Sequence, residues 1–272
     1  MRHTSDVTED AVLDGRLRLA QPRRGHRVGH DAILLAAACP ARTGERVVDL
    51  GAGVGAAGLA LAARVDGVAV TLVEIDAALA ALATRNAEHN GLAARVRVAV
   101  LDVAAPARAF AAAGLAPESI ARVLMNPPFN DPARHRASPD RERRLAHSAP
   151  GAALAAWVKS AARLLRPRGT LSMIWRADGL GDVLRALGPA FGEVTVLPVH
   201  ATVGEPAIRI LVRAAKASGA PLALLPGLVL TDGSGQPTAE AQSVLRAGAA
   251  LPLAHVPEKW KPVFPITTCA NQ

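Results

Sequence analysis

The chain has 272 residues, a formal net charge of +8, a calculated pI near 10.8 and a half share of hydrophobic residues. That length holds one generous core with a small appendage and is short for two full catalytic domains. The richest apolar run, Val47 to Ala63, contains Asp49 and several glycines, which fits a buried strand, loop and helix and excludes a membrane span.

The first ten residues are polar and carry acids, unlike a secretory signal, so a cytoplasmic protein is expected. Two distant cysteines, Cys39 and Cys269, support neither a disulfide framework nor a zinc site. The histidines form no ligand pair at helical spacing; His135, His147 and His200 read as surface or hydrogen-bonding residues, and no metal is expected. The positive charge favours an anionic partner, since nucleic-acid binding draws on neutralised phosphates. Charge alone carries this only to an anionic partner, because heavy use of Ala and Arg beside scarce Lys and Tyr also fits a coding bias; no membrane and no obligate protein partner is expected.

The first element is Val12 to Leu19, where alternating apolar residues flank Asp14-Gly15, a pair suited to a tight hairpin turn with Arg16 and Arg18 facing solvent. A basic loop follows, Gln21 to Asp31, and includes Arg23, Arg24 and Arg27. Asp31 reads as the cap of a helix over Ala32 to Ala38, which Pro40 stops.

From residue 46 onward, short β-branched runs alternate with Ala/Leu-rich helical runs, the pattern of parallel strands joined by crossover helices. Strands are expected at Arg46–Leu50, Val68–Ile75, Val96–Leu101, Ala121–Met125, Thr170–Ile174, Glu193–Leu197 and Ile208–Val212. Helices are expected near Val54–Arg64, Ala77–Asn90 with Gly91 as stop, Ala152–Arg166 and Gly181–Leu187. The fold class is therefore α/β, a doubly wound, mostly parallel sheet. Beyond Ala214 come a short helix around Thr238 to Arg246 and a Pro-rich tail from Val256 to Pro265. The expected division is an N-terminal hairpin, loop and helix over 1–45, a main domain over 46–215 and a C-terminal extension over 216–272.

Val47 to Gly58 is a strand running into a Gly-rich loop and then a helix, the place where open α/β sheets hold nucleotides. Gly53, Gly55 and Gly58 satisfy the dinucleotide spacing, with Glu74 about 20 residues further on. Asp49 argues for another ligand. A carboxylate directly before the loop would repel a pyrophosphate, which prefers bare backbone N–H groups. S-adenosylmethionine presents an ammonium and a sulfonium, which a carboxylate favours. Asp49, Gly51, Gly53 and Gly55 are therefore candidate contacts to that cofactor. Glu74, ending the second strand, is placed to accept both ribose hydroxyls, with Ile75 beside it and Asp76 as cap of the next helix. Asp102 ends the third strand and is either an acceptor for the adenine amino group, with Val103 beside the ring, or a helix cap.

Asn126-Pro127-Pro128-Phe129 places an amide, two prolines and an aromatic at the end of the fourth strand. Phe129 beside two prolines can be held as a stacking platform for an extruded base. Proline delays a following helix, so the Pro127 carbonyl can face the cleft. Asn126 Oδ1 and that carbonyl would accept the two hydrogens of an exocyclic amine and turn its lone pair toward the methyl group. Asn126 would also border the cofactor.

Asp49 to Gly55 together with Asn126 to Phe129 resembles the amino-directed class I methyltransferases, a resemblance that implies a seven-stranded sheet with one antiparallel strand. Arg27-Val28-Gly29-His30-Asp31-Ala32-Ile33-Leu34-Leu35 is similar to the segment before the cofactor loop in bacterial tRNA adenine N6-methyltransferases acting on the anticodon loop of valine tRNA. The likeness spans about residues 10 to 215. It implies that Gly29 and Asp31 lie near the methionine end of the cofactor, and that the acceptor is the N6 amine of an adenine in tRNA.

Guanine N2 in RNA and a protein glutamine amide present the same planar nitrogen, so both stay open on the residues alone. A glutamine methyltransferase would carry a larger N-terminal helical domain, and a DNA enzyme a larger recognition domain. Other classes also stay open: an NAD-dependent oxidoreductase, or a non-catalytic RNA-binding module. Residues 130–144 are arginine-rich, and Arg134, Arg136, Arg141, Arg143 and Arg144 are candidate RNA contacts with Arg23, Arg24 and Arg27.

Overall fold

The structure is a computed structural model and describes residues 7–24, 27–128 and 152–253. Phe129, Arg134, Arg136, Arg141, Arg143, Arg144, His135, His147, Cys269 and the Pro-rich tail lie outside the described residues.

Two strands, β1 (Val7–Val12) and β2 (Leu17–Pro22), form an antiparallel hairpin ahead of α1 (His30–Ala38). An alternating region follows: β3 (Arg46–Leu50), α2 (Ala56–Arg64), β4 (Ala69–Glu74), α3 (Ala77–His89), β5 (Val96–Val100), α4 (Ala107–Ala112) and β6 (Ile120–Met125). After the undescribed segment come α5 (Ala152–Leu164), β7 (Leu165–Arg176), α6 (Leu180–Leu187), β8 (Phe191–Thr202), β9 (Ala207–Lys216), β10 (Ala223–Leu224), β11 (Leu228–Thr231) and α7 (Ala239–Leu245).

The main sheet runs β10-β8-β9-β7-β6-β3-β4-β5, and β11 also pairs with β8. Neighbours from β5 to β7 are parallel, whereas β9 is antiparallel to both β7 and β8. The seven expected strands are all present, one of them antiparallel. Two short strands from the C-terminal extension add to the free edge of β8, making nine and covering backbone groups that would otherwise be open.

Both faces of the sheet are buried, so its central strands read as unbroken apolar runs such as Val47 and Val48. One face packs on α1, α2 and the hairpin through Leu34, Leu59, Leu61 and Leu17. The other packs on α4, α5 and α6 through Phe110, Val158, Leu164 and Leu187. Cys39 is buried against the first face, and burial pushes its thiol up to about 11, which leaves it an inert apolar side chain.

Two local expectations need correction. The hairpin does not turn on Asp14-Gly15 alone: Val12 pairs with Leu17, leaving a four-residue loop in which Leu13, Asp14 and Gly15 all have positive φ. Burial of Leu13 favours this longer loop, and the Arg16 guanidinium ties it to the Arg246 carbonyl at the end of α7. Asp31 does not cap α1. The helix begins at His30 with Gly29 at the cap position, and the Asp31 carboxylate turns to Arg209 Nε on β9, 3.0 Å away. Among the described residues no helix is long and apolar enough to cross a membrane.

Candidate active site

The strand order reverses between β3 and β6, which lie side by side with Leu50 opposite Met125. A crevice opens at such a reversal because the chains leaving the two strands turn to opposite faces. Here β3 leads into the glycine loop, and β6 into Asn126-Pro127-Pro128.

The loop is pinned to β4, since Gly51 N and Ala52 N both donate to the Val73 carbonyl, at 2.8 and 2.9 Å. Gly55 has φ +89°, and a Cβ there would come 2.8 Å from Leu72 Cδ1; at Gly58 the distance to Leu72 Cδ2 would be 2.3 Å. These two glycines let α2 press onto the sheet. A Cβ at Gly53 would meet nothing within 4 Å, so this backbone borders open space that a ligand can use. The positive φ of Gly53 and Gly55 also explains why α2 starts at Ala56 and not at Val54.

Asp49 is only 3% exposed, and its Oδ2 accepts the Gly58 N–H at 2.9 Å. Burial pushes its carboxyl up to about 7; the Gly58 N–H opposes that shift and the Glu74 carboxylate adds to it. Glu74 is 6% exposed, with Oε2 accepting from Gly53 N at 2.8 Å and Oε1 from Asp76 N at 2.9 Å. Each of these oxygens keeps a further lone pair for a ligand hydroxyl. Two buried carboxylates share this corner, and among the described residues neither forms an ion pair with a cationic side chain. That arrangement fits a ligand that is itself cationic and carries a diol.

Asp76 is the cap of α3, accepting from Ala78 N and Leu79 N at 2.8 and 3.2 Å. Ile75, between the two acids, is 54% exposed, and such an apolar side chain at a cleft rim suits the face of a flat ring. Asp102 caps no helix: Oδ1 accepts from Ala104 N at 2.8 Å in a turn, and α4 starts after Pro106. Val103 next to it is buried.

Across the crevice, Asn126 is half-buried, and among the described residues nothing hydrogen-bonds its side-chain amide. Pro127 is buried and Pro128 half-buried. The first turn of α1 reaches the same edge of the sheet, since Arg209, the partner of Asp31, pairs with Arg176 at the carboxyl end of β7. Gly29 opens that helix, exposed and unhindered. Of the described arginines proposed for RNA, Arg23 and Arg24 are exposed. Arg27 instead donates to Asp10 at 2.6 Å and to Thr8 at 3.2 Å, which partly neutralises it.

Three residues at this edge escaped sequence reasoning. Gln21 is buried and fixes the 27–31 segment: Oε1 accepts from Val28 N at 2.8 Å while its amide donates to Asp10. Asn86 of α3, 1% exposed, accepts from Ala20 N at 2.7 Å and donates to Ala20 O and Val54 O at 3.0 Å each. It thereby clamps the hairpin to the glycine loop. Trp157 of α5 lies against Gly51, where a Cβ would come 2.2 Å from its ring. Only Asn86 left a sequence signal, as an amide on the otherwise apolar face of an Ala-rich helix.

The sheet order, the acid-bearing glycine loop and the Asn-Pro-Pro turn at the reversal define the fold and cleft of a class I S-adenosylmethionine-dependent methyltransferase. The chain belongs to the methyltransferase small domain family, whose profile matches residues 26–201. Among its relatives are the tRNA1(Val) (adenine(37)-N6)-methyltransferases of Enterobacter sp. strain 638, 36% identical over 128 residues, covering 46% of this chain and 49% of that protein. The corresponding protein of Tolumonas auensis is 32% identical over 173 residues, covering 63% of this chain and 68% of its own length. The chain thus spans about half the length of the Enterobacter protein and of its Salmonella counterparts. A solved structure from Agrobacterium tumefaciens, described as a predicted O-methyltransferase, superposes with a TM-score of 0.69 at 32% identity, covering 81% of this chain and 98% of that one.

Proposed function

We propose that the protein transfers the methyl group of S-adenosylmethionine to the exocyclic N6 amine of an adenine in RNA, with tRNA as the substrate class. The observation that carries this reading is the Asn126 amide, unpartnered among the described residues, across the sheet reversal from a glycine loop with two buried carboxylates. When bound, the donor supplies a methyl carbon activated by positively charged sulfur. Asp49 holds the ammonium end by charge, Glu74 accepts from the ribose hydroxyls, Gly53 lets the backbone approach closely, and Gly51 and Gly55 supply the left-handed turns that shape the loop around the donor. Ile75, Asp102 and Val103 flank the adenine of the donor, and Gly29 and Asp31 border its methionine end.

Asn126 Oδ1 and the Pro127 carbonyl accept the two hydrogens of the target amine. This pulls the nitrogen lone pair out of conjugation with the ring and aims it at the methyl carbon. Pro128 holds the turn and Phe129 stacks on the base. After transfer the nitrogen is positively charged and acidic, so its proton leaves to water without a strong base. The name of the Agrobacterium structure suggests an oxygen acceptor, and that of the curated relatives a nitrogen. A hydroxyl has one hydrogen and could use only one of the two acceptors, so the paired acceptors favour an amine. Arg23, Arg24, Arg134, Arg136, Arg141, Arg143 and Arg144, with a lesser part for Arg27, are proposed to hold the RNA backbone.

The test is transfer of labelled methyl from S-adenosylmethionine to total tRNA by the purified protein, followed by nucleoside mass spectrometry. N6-methyladenosine is expected. N2-methylguanosine, methylation of protein glutamine, or ribose methylation would each replace the proposed acceptor.

A further inference from the structure

A cavity of about 300 Å³ opens at the amino edge of the sheet, the end away from the glycine loop. It is lined by Arg46 at the start of β3, Val70 and Thr71 of β4, Ala94 and Arg95 before β5, and Arg97 of β5. Two of these cations converge. Arg46 Nη2 donates to the Gly114 carbonyl at 2.9 Å, and Arg97 Nη2 reaches the same oxygen at 3.4 Å while its Nε donates to Thr71 Oγ1 at 2.9 Å. Arg95 also lines the cavity, donating to the Val65 carbonyl at 2.9 Å, with the fully exposed Asp66 carboxylate 3.8 Å away.

Among the described residues no carboxylate pairs with Arg46 or Arg97, although both are exposed. One neutral carbonyl and one hydroxyl hold the two guanidiniums without cancelling either charge, and each guanidinium has further N–H donors to offer an anion. Small side chains on the rim, Ala69, Ala93 and Ala94, leave the cavity accessible to a bulky anion. A guanidinium pair so held matches the oxygens of a phosphate, which arginine binds in bidentate fashion.

We propose that this groove binds a backbone phosphodiester of the RNA substrate, at a point remote from the modified nucleotide. The inference rests on the RNA reading above and adds a second contact to it. The five residues of β3 separate the groove from the cleft by roughly 17 Å, so the phosphate held here belongs to a part of the RNA other than the target base. Such a contact fixes orientation and contributes affinity without reading sequence.

The test compares RNA binding across a salt series for the wild-type chain, the Arg46→Gln/Arg97→Gln double variant and the Arg46→Lys/Arg97→Lys double variant. The Gln pair should weaken binding alike across RNA sequences and lower the slope of log affinity against log salt by about 1, the share of the one phosphate it neutralises. The Lys pair should keep most of that slope, and S-adenosylhomocysteine affinity should be unchanged in both. Thermal melting checks that the α4–β6 connection survives loss of the Gly114 contacts. A Gln variant that folds normally and keeps the wild-type slope overturns the groove while leaving the RNA reading intact. A wild-type chain that binds no RNA overturns both. Inorganic phosphate binding that the Gln pair abolishes, with RNA binding untouched, would make this a small-anion site and overturn the proposal.

Discussion

Replacing Asp49 by Asn tests the electrostatics of the donor corner in a way that separates stability from function. The carboxyl is fully enclosed and its folded-state value is pushed from 3.8 up to about 7. A raised acid binds a proton in the folded chain and not in the unfolded one between those two values. Stability contributed by this site is therefore greatest near pH 4 and falls as pH rises toward 7. At about 1.4 kcal/mol per unit, the cost of keeping the charged carboxylate buried at pH 8 is on the order of 4 kcal/mol. An Asn side chain keeps the acceptor for Gly58 N–H and carries no charge. Asp49→Asn should thus be more stable than wild type at pH 8, by up to about 4 kcal/mol, with the gap closing toward pH 4. The same variant should lose most of its affinity for S-adenosylhomocysteine, because the ligand ammonium no longer meets a negative charge. In the wild type, binding near pH 6 should release a proton and binding at pH 8 should not, which calorimetry in two buffers of different ionisation enthalpy detects. Urea unfolding across pH 4 to 8 supplies the stability half. An Asn variant that is less stable at pH 8, or that binds the ligand as tightly as wild type, would refute the reasoning.

Asn126→Ala should cut methyl transfer at least a hundredfold, in the range typical for loss of a positioned transition-state group, with S-adenosylhomocysteine affinity within a few-fold of wild type; single-turnover kinetics and calorimetry read the two separately. Asn86→Leu strands the Ala20 N–H and two carbonyls inside the protein, so urea unfolding should show a loss of about 3 kcal/mol. A loss below about 1 kcal/mol would mean that the clamp between hairpin and glycine loop is dispensable. Gly51→Ala forces a side chain into a left-handed backbone at φ +68° and into the Trp157 ring, so it should lower the melting temperature and ligand affinity together. Adding Trp157→Ala to that variant should restore part of both, and no recovery at all would remove the ring contact as the cause.

What could be read from the residues follows the range of the forces involved. β3 was legible to the residue, because Val47, Val48 and Leu50 form a buried apolar run that ends at glycine. Asp76 was legible as a cap because its partners are the next residues in the chain. α4 was not, since six residues around a single buried anchor, Phe110, show no period. β10 and β11 are too short, and too interrupted by proline and glycine, to read as strands without the β8 edge they complete. The Asp31 reading failed because its partner, Arg209, is distant in sequence, and a first-turn carboxylate looks the same whether it caps or pairs. Asn86 and Trp157 likewise act on partners distant in sequence. The positions of the acids and of the Asn-Pro-Pro turn at or next to strand ends were legible because each strand's apolar run stops there.

The most direct test is a crystal structure of the protein with S-adenosylhomocysteine and adenosine monophosphate. It should show the ligand ammonium facing Asp49, the ribose hydroxyls on Glu74, and the adenine N6 between Asn126 Oδ1 and the Pro127 carbonyl. A pyrophosphate seated on the glycine loop, or an Asn126 amide turned away from the base, would contradict that arrangement.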